Sequence, residues 1–202
     1  MTKEILFWNW FKDNSSKYYY LNQIPDVGQK QILLDELLSK LHSYCDKLFF
    51  QIGGFPNEPQ ELIISADGNI ESFEKVEKLI SSAPQIDDWK IIAFKPPTEE
   101  DFVIEYEGIK LDPHEIWFLP LDNENNSQVL GLKLCLPEYT PQTKSILLEA
   151  CYQLLDSILG EKSSALDIQY VEIDELPRQP EENGLIELTE LPKYIQWIKT
   201  KV

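Results

Sequence analysis

Residues 61–97, ELIISADGNIESFEKVEKLISSAPQIDDWKIIAFKPP, decide the fold. The apolar run Leu62-Ile63-Ile64 ends at Ser65-Ala66-Asp67-Gly68-Asn69, a cluster of turn-forming residues. Phe73, Val76, Leu79, Ile80 and Ala83 then recur at helical spacing and make one apolar face. Glu71 and Lys75, and Glu74 and Lys78, fall four apart on the polar side, acid first, which is the favourable order. Asn69 is placed to cap the first turn, and Pro84 ends the pattern because it lacks an N–H and restricts Ala83 before it. A second apolar run, residues 89–94, stops at Lys95-Pro96-Pro97. Strand, helix and parallel strand follow, with a right-handed crossover.

That reading places Ser65, Asp67 and Asn69 just past the carboxyl end of the first strand, near Lys95 at the end of the second. Ligands of open sheets favour this edge. Turn and cap chemistry alone accounts for the same residue types.

Working outward, residues 3–22 read as a helix carrying Phe7, Trp10, Phe11, Tyr18 and Leu21, with Asn14-Ser15-Ser16 as a possible break. Pro25-Asp26 opens a second helix, to about Tyr44, with a leucine stripe at positions 33, 34, 37, 38 and 41; His42 sits beside it as a boundary residue. Residues 48–52 read as a strand that returns through a Gly- and Pro-rich loop, 53–59, into the strand at 61–65. Past the Pro- and acid-rich break at 96–101, residues 102–106 and 109–111 make a short hairpin around Glu107-Gly108. Strands are expected at 115–121 and 129–136, joined by a polar turn at 122–127. Thr140-Pro141 starts a long helix that Gly160 closes, with Ile146, Leu147, Ala150, Cys151, Leu154, Leu155, Ile158 and Leu159 on its apolar face. The last strand is expected at 166–173, and a terminal helix at 189–200.

The order ββαβ thus occurs twice. The expected fold is α+β: a mixed sheet built from two ββαβ-like halves with helices packed on it, plus an N-terminal helical pair. The chain is read as a single domain, with N-terminal helices over 1–46, halves over 47–97 and 98–176, and a linker with the terminal helix over 177–202. The halves share one sheet or face each other.

The punctuation also resembles a pattern in small bacterial proteins of uncharacterised function. It is carried by Ile64-Ser65-Ala66-Asp67-Gly68, Ala83-Pro84, and Trp89, Ala93-Phe94 and Pro96, with weaker echoes at Trp8-Asn9-Trp10-Phe11 and Leu159-Gly160-Glu161. The resemblance spans most of the chain and implies a shared fold, with no activity to carry over.

Composition narrows the function. The formal net charge is −17 over 202 residues, and Arg178 is the only arginine. Phosphate and base-edge recognition lean on arginine forks and basic patches, so nucleic acid and anionic membranes are not expected partners. The acidity suggests solubility, or attraction to a basic protein partner. Cys45, Cys135 and Cys151 are isolated and His42 and His114 lie far apart, which argues against a disulfide framework and a zinc site. No metal or cofactor is expected. The N-terminus does not read as a signal peptide and no run reaches transmembrane length, so the expected location is cytoplasmic.

No phosphate-cradling glycine motif, nucleophile elbow or H-E-x-x-H helix is present. Asp112, His114 and Glu115, with Ser65, are the candidate acid–base residues. Two functions remain. The first is a non-catalytic, acidic protein-interaction or regulatory module. The second is a small-molecule binder or small enzyme using Ser65, Asp67, Asn69, Lys95 and His114.

Overall fold

The computed structural model describes residues 1–19, 21–54, 58–98, 101–121 and 130–201. Parts of the expected loops, at 55–57, 99–100 and 122–129, lie outside the described residues. The fold is α+β with mixed sheets and packed helices, opening on a helical segment. Its contacts divide into two compact units, Met1–Lys95 and Pro96–Val202.

In the first unit, helix α1 (Lys3–Asn14) and helix α2 (Val27–Tyr44) precede strands β1 (Phe49–Gly53) and β2 (Gln60–Ser65). Helix α3 (Phe73–Ser81) and strand β3 (Trp89–Ala93) complete it. β1 and β2 are antiparallel, β2 and β3 parallel, so β2 is the middle strand and Leu62 and Ile64 on it are fully buried. Gly54 has φ +128°, and a Cβ there would stand 2.9 Å from Gln60 Nε2, so the hairpin needs a glycine at this point.

The single helix expected over 3–22 ends at Asn14 and continues as 3₁₀ turns at Ser15–Tyr18 and Leu21–Gln23. Asn14 turns its amide back to Trp10 O at 2.8 Å, the local competition that makes Asn and Ser poor helix formers. Trp8 joins Phe7, Phe11, Tyr18 and Leu21 in the core, and Trp10 is only half-buried. The Trp8 indole N–H donates to Leu79 O at 2.7 Å, joining the Ser82 N–H, which donates to the same carbonyl at 3.2 Å in the last turn of α3. Lys78 of α3 reaches Glu4 of α1 at 3.1 Å. The Glu4 backbone N–H, the Thr2 hydroxyl and Lys78 together hold the Glu4 carboxyl down at about 2.

The second unit contains strands β4 (Ile104–Tyr106), β5 (Ile109–Leu111), β6 (Trp117–Leu121) and β7 (Leu130–Leu136). Helices α4 (Lys144–Leu159) and α5 (Glu161–Asp167), strands β8 (Ile168–Glu175) and β9 (Ile186–Glu187) and helix α6 (Leu191–Thr200) follow. Here too the first pair, β6 and β7, is antiparallel and the second, β7 and β8, parallel. The ββαβ order is repeated in connectivity and in strand direction. Each half has its own hydrogen-bonded sheet, β1-β2-β3 and β8-β7-β6-β9, so the halves share no sheet among the described residues.

β4 and β5 turn through Glu107 (φ +47°) and Gly108 (φ +83°), the paired left-handed residues of a type I′ hairpin. Several boundaries differ from the sequence pattern, β4 starting at Ile104 instead of 102 and α6 at Leu191 instead of 189 among them, and three have a clear local cause. α4 begins at Lys144, because Thr140 and Thr143 lock a turn first: Thr143 N–H donates to Thr140 Oγ1 at 3.2 Å and Thr140 N–H to Thr143 Oγ1 at 3.1 Å. The strand expected at 166–173 starts two residues later, since Gly160 (φ +73°) ends α4 and α5 restarts at once. The strand expected from Glu115 starts at Trp117, because Asp112 caps a 3₁₀ turn at Pro113–Glu115 by accepting His114 N–H at 2.9 Å.

α4 packs its Leu147, Ala150, Cys151, Leu154, Leu155 and Ile158 on Phe118, Leu132, Leu134, Val171 and Ile173. Leu154 is fully buried at the centre of this layer. Leu154→Ala is therefore expected to cost about 2–5 kcal/mol, transfer energy plus cavity, in a urea titration. A loss below about half a kcal/mol would mean that the face is not packed.

Candidate functional site

Four of the five predicted site residues belong to the first unit. Ala66 to Asn69 form a tight turn: Asp67 (φ +51°) and Gly68 (φ +76°) are both left-handed, and Asn69 N–H donates to Ala66 O at 3.0 Å. Ser65 is fully buried, and its Oγ accepts the Asp67 N–H at 2.9 Å. Asn69 Oδ1 accepts the Glu71 N–H at 3.1 Å, the capping role its position suggests. Lys95 Nζ meets Asp67 Oδ1 at 2.6 Å.

Phe94, beside Lys95, is a buried aromatic with φ +64°, a conformation a bulky residue rarely takes. Its N–H donates to Ile64 O at 2.8 Å, which ties the end of β3 to β2. Two left-handed non-glycine residues and one charge pair thus gather at the carboxyl edge of the two parallel strands. The edge is a structured turn with one lysine held by one aspartate.

His114 belongs to the second unit and has its own partners there. Its Nδ1 lies 3.0 Å from Glu187 Oε1 and its Nε2 3.4 Å from Asp101 Oδ1. Thr189 donates its hydroxyl to the same Glu187 oxygen at 2.7 Å. Asp112 contacts the His114 backbone and Ser65 contacts the Asp67 backbone, so neither orients the imidazole in the way a catalytic dyad requires. The residues that do face it, Glu187 and Asp101, carry no local sequence signal: 73 and 13 positions separate them from His114. Hydrogen bonds from Glu187, then Asp101, raise the His114 pKa, and the Thr189 hydroxyl, then His114, lower that of Glu187.

Two concavities lie elsewhere. A shallow, open depression runs along α2 at Asp35, Leu38, Ser39, His42 and Ser43. His42 also contacts Leu48 O through Nε2 at 3.1 Å. A cavity of about 50 Å³, room for one or two waters, lies between β5, Ile116 and Leu147, with Asp112 and Glu115 on its wall. Neither is lined by Ser65, Asp67, Lys95 or His114. Among the described residues, no group of three or more His, Cys, Asp or Glu side chains is placed to hold a metal ion. Among them, too, no helix is long and apolar enough to cross a membrane. No family model, curated protein or solved structure matches the chain.

The charge is unevenly divided. Pro96–Val202 carries 21 Asp and Glu against 8 Lys and Arg, a net −13; Met1–Lys95 carries 14 against 10, a net −4.

The His114–Glu187 contact makes stability pH-dependent. A raised histidine pKa contributes stability that is complete below the ordinary value of 6.5 and is lost as pH rises through the folded value. A lowered glutamate pKa contributes above the ordinary 4.5 and is lost as pH falls. The pair therefore stabilises most between those two values. His114→Gln should lower the urea midpoint most near about pH 5.5, with the difference shrinking by about pH 9. A difference that stays flat across that range would show that the imidazole does not carry the contact.

Proposed function

We propose that the chain is a non-catalytic, acidic interaction module whose second unit attracts a basic protein partner. The observation that carries this reading is the net charge of −13 on Pro96–Val202, set against −4 on Met1–Lys95. A field of one sign over one part of a chain speeds encounter with an oppositely charged surface. The single arginine weighs in the same direction, since anion recognition has little to work with here. The likeness to small uncharacterised bacterial proteins, carried by Ile64 to Gly68, Ala83-Pro84 and Trp89 to Pro96, is retained as a proposal of shared fold.

A second reading rests on the edge of β2 and β3. Backbone strain concentrates at functional sites, and Asp67 and Phe94 hold left-handed conformations beside Lys95. A small anionic metabolite would displace Asp67 from Lys95. Under this reading a thermal-shift screen of the wild type finds a stabilising metabolite, and Asp67→Ala or Lys95→Ala abolishes the shift without unfolding the protein. Equal shifts in the wild type and both variants would remove it.

For the interaction reading, a tagged full-length chain recovers its partner at low salt, and association is then timed as salt is raised. With a Debye length of about 10 Å at 0.1 M, the on-rate should fall steeply while the off-rate changes little. An on-rate indifferent to salt would reduce the charge to a device for solubility.

A further inference from the structure

β1 is one edge of the first unit's sheet, and β2 is its only strand partner among the described residues. The phase of its ladder follows from β2. Gln60 N–H donates to Asp88 O and Phe94 N–H to Ile64 O, both at 2.8 Å, so Gln60, Leu62 and Ile64 turn their backbone groups toward β3. Glu61, Ile63 and Ser65 then turn theirs toward β1, where they face Gly53, Gln51 and Phe49. The peptide groups of Phe50 and Ile52 are left pointing away from β2. No residue of β1 is buried: Phe49, Gln51 and Gly53 are exposed, and Phe50 and Ile52 are half-buried.

Sheet edges are commonly guarded by charge, proline or a bulge. β3, the opposite edge, carries Lys90. β1 carries no such guard: residues 48–54 contain no charged side chain and no proline, and the register against β2 is unbroken. The open stretch is bounded at both ends. The Leu48 carbonyl lies 3.1 Å from His42 Nε2, and Gly54, at φ +128°, ends the strand. Between these limits Phe50 and Ile52 offer their peptide groups.

We propose that β1 pairs antiparallel with β1 of a second copy of this chain, about a two-fold axis at Gln51. The proposal goes beyond the interaction reading and is independent of it, since that reading concerns the other unit. Charge and register select this occupant. An uncharged edge offers nothing to a cationic or anionic segment, and it lies in the unit that carries −4 of the chain's −17. Phe50 of each copy exchanges both main-chain bonds with Ile52 of the other. Gln51 meets Gln51 in a close pair, where each side-chain amide can donate to and accept from its counterpart. Phe49, 44% exposed, comes opposite Gly53, where a Cβ would meet nothing within 4 Å. A ring laid over a cross-strand glycine covers the backbone that the missing side chain leaves bare. Any slip that keeps the open peptide groups face to face sets Phe50 on Phe50 or Ile52 on Ile52 and leaves the other without an open partner. So short an interface makes a weak, reversible dimer.

The test is sedimentation velocity on the full chain over a range of concentrations, at moderate salt to screen the net charge. The wild type should dimerise reversibly. Gln51 is exposed, so Gln51→Glu and Gln51→Lys should keep the fold, which circular dichroism checks. Each sets like charges face to face and should weaken the dimer about fivefold. An equal mixture of the two variants should restore it, because opposite charges then meet across the axis. Amide exchange at Phe50 and Ile52 should slow in the mixture and not in either variant alone. A wild type that stays monomeric throughout, a dimer indifferent to both substitutions, or variants that do not recover on mixing would each overturn the pairing. The salt dependence of the recovered partner's on-rate decides the interaction reading separately.

Discussion

A strand that runs parallel to its neighbour cannot be reached by a tight turn. The chain must cross the sheet, and the crossing segment must bury one face on the way. Both units are built on this constraint. In each, a hairpin sets two antiparallel strands, and a helical crossover returns the chain beside the second of them. The strand between hairpin partner and crossover partner is hydrogen-bonded on both sides and closed off from water. β2 carries Leu62 and Ile64, and β7 carries Leu132 and Leu134, all fully buried. The apolar faces of α3 and α4 exist because those strands need a cover. The Trp8 indole bond to Leu79 O and the hairpin of β4 and β5 against α4 build on that arrangement.

Features that depend on neighbouring residues were legible in the sequence. The turn at Asp67-Gly68, the hairpin at Glu107-Gly108 and the stop at Gly160 are written in residues that tolerate positive φ, and each is found where that chemistry puts it. The apolar face of α4 follows from its spacing. Features that depend on distant pairing were not legible. β9 is two residues long and exists because Trp117 and Phe118 offer it a ladder. α5 has seven residues, too few for a periodic pattern to show against the strand-like run after it. Trp8 entered the core through a carbonyl 71 positions away. The same limit applies to the candidate sites. Asn69 as a cap and Lys95 beside Asp67 could be anticipated from a strand–helix–strand unit; Glu187 beside His114 could not.

Many of the lysines are engaged with carboxylates. Lys90 meets Glu61, Lys95 meets Asp67, Lys133 meets Glu172, and Lys199 meets Asp167. The first three lie at the surface and contribute little individually, about 0–1 kcal/mol, whereas Asp167 is buried. Their larger effect is on the field. Each engaged lysine neutralises a carboxylate at short range, and the excess acid, concentrated in Pro96–Val202, sets the sign of the long-range field.

Apolar side chains close around β7 within Pro96–Val202, and buried apolar residues surround β2 within Met1–Lys95. If the two units melt separately, heat acts on two cooperative blocks instead of one. In a calorimeter the total enthalpy would exceed the van't Hoff value drawn from the shape of the transition, and a single melting temperature would average two events. The tryptophans would divide the signal, since Trp8, Trp10 and Trp89 report from the first unit and Trp117 and Trp197 from the second.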